Sequence, residues 1–324
     1  MTSVAAVIPS WNTLEHIDHC IESLLDETDV PIELFVVDNG STDGSLEYLR
    51  SRGIKHLAMG SNFGFAAAVN IGARHTSAPL VLVLNADVVL EKGCVASLAE
   101  ALEADPSLAG VQPTITSPAQ ADGMVPLYST GQALTVAATA YELRTPPGDL
   151  AGHAGQEIFG VCGAVCLLRR ELFTQLGGYD ERYFAFYEDV DLNARARLAG
   201  WSFTHVPAAV AVHVGHASWG GQDGSARAFN VRLTVCNRAC TAVKVLPARC
   251  LPWVALATVR TLLAGPFRRV GGAALSGTGS FLLMLPQLLR ERRRLRAGHV
   301  SQLDHWIVNR RIDKIGRERG WRPS

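Results

Sequence analysis

The 324-residue chain is poor in the features that would classify it at a glance. Aromatic residues make up only 7%, and none interleave with its C-terminal arginines, which argues against a stacking surface for nucleic acid. Its seven cysteines are an odd number without framework spacing, so a disulfide scaffold is not indicated. Cys162/Cys166 and Cys236/Cys240 are spaced as zinc ligands can be. Both pairs sit in apolar runs without a neighbouring histidine, and they read as free thiols buried in the core of a cytoplasmic protein. The N-terminal segment through Asn12 lacks the basic start and long apolar stretch of a secretory signal. No long-period repeat is present, which sets solenoids and propellers aside.

What is present is a core and a divided charge. Hydrophobic residues make up 48%, enough for one large α/β domain or a domain with an appendage. The formal net charge of zero hides a split. Residues 1–243 hold 14 Lys and Arg against 26 Asp and Glu, whereas residues 244–324 hold 16 against 4. The chain is therefore expected to divide into a domain over 1–243 and a basic helical extension over 244–324. An acidic body binds nucleotides when a metal stands between; a basic, apolar tail suits an anionic lipid surface.

The first 115 residues alternate strand and helix patterns. Val4–Ile8, Ile32–Val37, Ile54–Ala58 and Leu80–Leu84 read as strands. Between and after them, helices are expected from Asn12 (as cap, with Glu15 as its capping-box partner), from Asp43 through Arg50, over Ala66–Arg74 and over Val95–Ala104. Leu14, Ile17, Ile21, Leu24 and Leu25 would form the apolar face of the first. Such alternation implies a doubly wound, mostly parallel sheet, whose ligands bind beyond the C-terminal ends of the strands, here after Ile8, Val37 and Leu84. Residues 116–157 show little periodicity and are expected to be a long connection or acceptor-side lid. Order returns with a strand over Val161–Leu168, helices over Arg170–Leu176 and Asp189–Ala199 with Gly200 as the stop, and two short strands, Ser202–Val206 and Val210–Val214. In the tail, Val270–Leu289 carries no charge and reaches spanning length, but it is diluted by glycine, serine and proline. Basic residues flank it on both sides, which favours a helix lying at a membrane surface over one crossing it.

Four strand or helix ends carry chemistry. Asp38 ends the second strand before Asn39-Gly40-Ser41-Thr42-Asp43-Gly44, where a carboxylate can accept from a base or ribose and glycines let the backbone turn beside a ligand. Asp43 also suits a plain helix cap. Asn62-Phe63-Gly64-Phe65-Ala66 opens a helix whose N-terminus could face phosphate. Asp87, after Leu84-Asn85-Ala86, could hold Mg²⁺ or Mn²⁺ against a diphosphate. Glu188, Asp189 and Asp191 crowd one helix start, where an ionised Asp189 could take a proton from an acceptor hydroxyl.

In this order, Pro9-Ser10-Trp11-Asn12, Val37 to Ser45, Asn62 to Ala66, Asn85-Ala86-Asp87, Gly177-Gly178-Tyr179-Asp180, Phe186 to Leu192 and His213 to Ser218 resemble family 2 glycosyltransferases of the GT-A fold. Asn62 to Ala66 and the last motif look most like the rhamnosyltransferase branch, which acts on lipid-linked acceptors. The resemblance covers about residues 4–218. It implies an α/β fold, a doubly wound, mixed but mostly parallel sheet, followed by the basic helical extension. It further implies donor contacts by Pro9, Ser10, Asn12, Asp38, Asn39, Asp43, Asn62, Gly64, Asn85 and Ala86. Asp87 and His213 would hold the divalent cation, Asp189 would be the base, and Glu188 and Trp219 would meet the acceptor. Asn85 stands where the first acid of the family's metal motif often lies. The expected activity is inverting transfer from an NDP-sugar, with dTDP-rhamnose as candidate, to a saccharide or polyprenyl-linked acceptor, by a cytoplasmic enzyme peripheral to the inner membrane face. The rivals are a nucleotidyltransferase, which would want a basic glycine-rich loop near Pro9, a degenerate non-catalytic scaffold, and an Arg-tail nucleic-acid binder.

Overall fold

In a computed structural model, residues 2–27, 29–144, 157–215, 224–264, 270–296 and 303–308 are described. The first half follows the expected alternation: β1 (Val4–Ser10), α1 (Leu14–Leu25), β2 (Ile32–Asp38), α2 (Ser45–Ser51), β3 (His56–Ala58), α3 (Phe65–Arg74), β4 (Leu80–Leu84), β5 (Val88–Leu90), α4 (Cys94–Ala104) and β6 (Leu108–Thr116). Then come β7 (Leu127–Ser129), β8 (Gln132–Thr135), β9 (Ala140–Glu142), β10 (Val165–Arg169), α5 (Arg170–Gln175), α6 (Glu188–Leu198) and β11 (Ser202–His213). The C-terminal part is α7 (Gly224–Val245), α8 (Leu251–Ala264), α9 (Gly271–Arg296), α10 (Leu303–Trp306) and β12 (Ile307–Val308). The division expected at 243/244 falls inside α7.

A mixed sheet runs in the order β3-β2-β1-β4-β10-β6-β11-β5, with β7 paired to β6. β1 pairs in parallel with β2 and β4, while β10 lies antiparallel between β4 and β6. The period-2 rule assigns the faces. Val4, Ala6, Ile8, Leu80, Leu82 and Leu84 pack under Ile17, Ile21 and Leu24 of α1 and Leu98 and Leu102 of α4. Val7, Val81 and Val83 pack on the other face beneath Val69 of α3 and Leu192 of α6. Of the expected apolar face of α1, Leu14 and Leu25 are exposed, and Cys20 is buried instead. All seven cysteines are free and buried.

Two sequence readings change, and one strand enters that no reading had named. The connection expected over 116–157 contains β7, β8 and β9 in its described part, and β8 and β9 form a second small sheet with β12. β6, for which no element was expected, carries Gln112 and Pro113 and still pairs in parallel with β11 over nearly its whole length. The two strands expected after Gly200 are one strand, β11, with a register shift between Val206 and Val210.

α7 and α9 run side by side in parallel: Gly277 lies against the Arg232 carbonyl, where a Cβ would clash, and Arg292 reaches the carbonyls of Val243 and Leu246. Arg296 donates to the Val245 carbonyl at 2.7 Å. Two residues of the arginine run thus cap the C-terminus of α7, where cations are favoured by the helix dipole. Exposed apolar side chains remain on this unit, including Trp253, Leu256 and Leu263 on α8 and Leu275, Leu282 and Leu283 on α9.

Candidate active site

The site lies where the strands end. Ser10 and Asp38 are register partners at the ends of β1 and β2. Asp38 Oδ2 accepts from the N–H groups of Gly40 and Ser41, each at 3.2 Å, while its Oδ1 is buried without a protein partner. An acid anchored by one oxygen and orphaned at the other presents a ready acceptor to a ligand donor.

Its neighbours are engaged with the protein. Asn12 does not cap α1: it sits at φ 53 and its Oδ1 accepts from Thr42 N at 2.8 Å. The α1 N-terminus is instead satisfied from the next loop, with Leu14 N donating to Asp43 Oδ2 at 2.9 Å. Asp43 Oδ1 accepts from Ser45 N at 3.0 Å, and these bonds hold its carboxyl below the usual range although burial opposes them. Asn39 donates to the Gly64 carbonyl and accepts from Phe63 N, Asn62 Oδ1 accepts from Gly64 N, and Ser10 Oγ bonds Thr13 Oγ1. Of the residues expected as donor contacts, Asn12, Asn39 and Asp43 tie separate loops together, while Ser10 and Asn62 bond within their own turns. Gly64 has a spacing role: at φ +91, a Cβ there would overlap the Phe184 carbonyl, so only glycine lets this loop close on the segment before α6.

That segment leads into a cavity of about 580 Å³ which Pro9, Asn85, Ala86, Asp87, Glu188, Asp189 and His213 all help to line. β11 lies antiparallel to β5, so His213 arrives beside Asp87, with Nε2 3.3 Å from Asp87 Oδ1. Asn85 Oδ1 and His213 Nδ1 are buried without partners. Among the described residues no three His, Cys, Asp or Glu side chains form a complete cage. An Asp–His pair beside an orphaned amide oxygen could help to hold a divalent cation. The residues present fit that role.

Asp189 is the second residue of α6 and is held from both sides. Its Oδ2 accepts from Gly163 N at 3.0 Å and Gln132 Nε2 at 2.7 Å, and its Oδ1 from Val190 N at 2.7 Å. Burial raises its pKa, and these bonds offset the rise only in part. Glu188 is pushed far higher, by burial first and then by the Asp189 charge, and its Oε2 has no protein partner. Adjacent acids so separated in proton affinity can divide labour, one as base and one as neutral donor. The backbone before them is strained, with positive φ at Phe184, Phe186 and Tyr187. Asn237 of α7 holds it, donating to the carbonyls of Tyr183, Ala185 and Phe186.

Sequence reading missed Asn237, which braces the segment before α6, and Gln132, Glu142, Asn230 and Thr234, which line the cavity. They lie in β8, β9 and α7, outside every motif, and no local pattern marks them. Trp219 and residues 216–218 lie outside the described residues.

The sequence profile of glycosyl transferase family 2 matches residues 5–177. The chain belongs to glycosyl transferase family 2. It is 30% identical over 241 residues to the N-acetylglucosaminyl-diphospho-decaprenol L-rhamnosyltransferase of Mycobacterium tuberculosis, covering 66% of this chain and 76% of that protein. The fold is similar to a mannosyltransferase from Pyrobaculum calidifontis in complex with GDP-Man and Mn²⁺ (TM-score 0.53, 19% identity, 91% and 85% coverage). It is also similar to S. aureus TarS 1–349 in complex with UDP-GlcNAc (TM-score 0.55, 15% identity, 98% and 92% coverage). The family 2 transferase and its GT-A fold are thus as the motifs implied.

Proposed function

We propose that this glycosyltransferase inverts the sugar it transfers, with Asp189 as its base, and moves it from an NDP-sugar to a polyprenyl-diphosphate-linked saccharide. The observation that supports this most is the placement of Asp189, oriented by three N–H donors, on the same cavity as the Asp87–His213 pair. Asp189 takes the proton of an acceptor hydroxyl as its oxygen attacks the anomeric carbon from behind. The bond to the diphosphate oxygen breaks, and the nucleoside diphosphate departs. A divalent cation, Mg²⁺ or Mn²⁺, held by Asp87 and His213 beside Asn85 would neutralise the leaving group. Asp38 Oδ1 is the contact for base or ribose, Glu188 with Asn230 of α7 is the acceptor wall, and Pro9 and Ala86 shape the donor side.

The relative's name supplies rhamnose as the first sugar to test and a lipid-linked N-acetylglucosamine as the first acceptor; dTDP, the carrier the motif resemblance implies, is the first nucleotide. The exposed apolar side chains of α8 and α9, with exposed Arg260, Arg290, Arg293 and Arg294, suit a peripheral helix unit on an anionic membrane, placing the enzyme at the cytoplasmic face. Of the described helices, only α9 has the length and composition to cross a membrane.

A thermal-shift series with dTDP, UDP and GDP, each with and without Mn²⁺, followed by transfer from dTDP-rhamnose to the lipid-linked sugar, tests the proposal. Stabilisation by dTDP only with the metal, then transfer with inversion, is expected. A uridine preference overturns the rhamnose assignment; retention of anomeric configuration overturns Asp189 as a simple base.

A further inference from the structure

Glu142 ends β9 on the wall of the same cavity as Asp189, and one amide joins the two carboxylates. Gln132 Nε2 donates to Asp189 Oδ2 at 2.7 Å and to Glu142 Oε1 at 3.2 Å. The amide is fixed in that sense, because its Oε1 accepts from Asn193 Nδ2 at 3.0 Å and Asn193 in turn donates to the Val161 carbonyl at 2.9 Å. Glu142 Oε2 is held by the Ser129 hydroxyl at 2.5 Å, itself an acceptor from Gln112 Nε2 at 2.7 Å.

We propose that Glu142 is a positioning residue for Asp189, its charge, transmitted through Gln132, setting how strongly Asp189 holds the proton it takes from the acceptor. This rests on Asp189 being the base. Two carboxylates that share one N–H₂ group do not ionise independently, since a negative charge on one raises the proton affinity of the other. The groups facing Glu142 are Ser129 and Tyr128 from β7, Gln132 from β8, Cys162 before β10 and Asp189 from α6. Loss of hydration pushes the Glu142 carboxyl up to about 7; the Ser129 bond works against the rise and the Asp189 charge adds to it. Burial raises the Tyr128 phenol and the Cys162 thiol, so both stay neutral there, and burial raises the Glu188 carboxyl as well. Glu142, pushed up to about 7, is placed to change its charge near neutrality. Below that point it is neutral and Asp189 is the weaker base; above it, ionised Glu142 makes Asp189 the stronger one.

The test uses the full chain, with kcat followed from pH 6 to 8.5 for wild type, Glu142→Gln and Ser129→Ala, using dTDP-rhamnose and the lipid-linked acceptor. The Asp189 carboxyl is titrated in parallel by ¹³C NMR, assigned with Asp189→Asn. Glu142→Gln should match wild type near pH 6 and fall to about a tenth of it at the alkaline end, with donor KM unchanged, a tenfold change corresponding to one pKa unit of base strength. Ser129→Ala removes a bond that favours ionised Glu142 and should move the rise in kcat to higher pH. It also carries the test if Glu142→Gln does not fold. A loss in Glu142→Gln that is the same at every pH, or an Asp189 titration unchanged by it, overturns the proposal. Turnover retained in Asp189→Asn sinks the base assignment instead, and the NMR coupling between the two carboxylates is read separately from it.

Discussion

The two sides of α6 carry acids of opposite condition. On the side facing α7, Asp191 is fully buried yet paired with Arg195 at 2.7 Å and Lys244 at 2.9 Å. Nearby Asp180 is paired with Lys244 at 2.7 Å and with Arg182, which also bonds Glu291 of α9. Burial alone would raise Asp180, but Arg182 and Lys244 drive it well below the usual carboxylate range. On the cavity side, Glu188 and Asp189 have no Lys or Arg ion pair among the described residues, and both are raised. The first arrangement is satisfied by the protein itself; the second is left for something to complete. A buried acid with its own cation holds a fold together, and one without is poised to exchange a proton.

The largest effect should come from the cavity side. Asp189→Asn is expected to lower kcat about a thousandfold, in the range of general-base losses, with nucleotide binding retained in calorimetry. Turnover within tenfold of wild type would erase the contrast. On the other side, Lys244→Met strips Asp180 and Asp191 of a shared cation while leaving each its arginine, and should cost about 1.5–3 kcal/mol in denaturant unfolding. A loss below about 1 kcal/mol would mean the ion network contributes little more than a surface pair.

The pH dependence should differ in sign. Glu188 is raised, so the folded chain binds its proton more tightly than the unfolded one. That contribution is complete below the unfolded value and is lost as pH rises through the folded one. Asp180 is lowered, so its contribution is present above the unfolded value and is lost as pH falls. Glu188→Gln should therefore flatten the decline of stability on the alkaline side and leave the acid limb in place, as read from melting temperatures across pH. The smallest effect is expected farthest from both. Leu283 is 86% exposed, so Leu283→Glu should shift melting by no more than a surface change does while weakening binding to anionic vesicles severalfold. Unchanged vesicle binding would remove the membrane role from this helix face.

Strict periodicity made much of the sheet legible: β1, β2 and β4 are apolar runs with turn residues at their ends, and their acids, Asp38 and Asp87, follow from strand ends. β6 was illegible because Gly110, Gln112 and Pro113 interrupt it, and its partner β11 lies about ninety residues on. α7 packs on α6, α8 and α9 at once, so no single apolar stripe marks it. Gln132 and Glu142 belong to short strands that become a sheet partly by pairing with β12 near the far end of the chain.

Sequence by itself determined the family, the doubly wound half of the fold and the identity of the acids, because those rest on local period and on residues at element ends. Tertiary structure alone decided which of those acids are neutralised and which are left reactive. Charge state depends on burial and on partners that approach from distant segments: Lys244 for Asp191, Gln132 and Gly163 for Asp189.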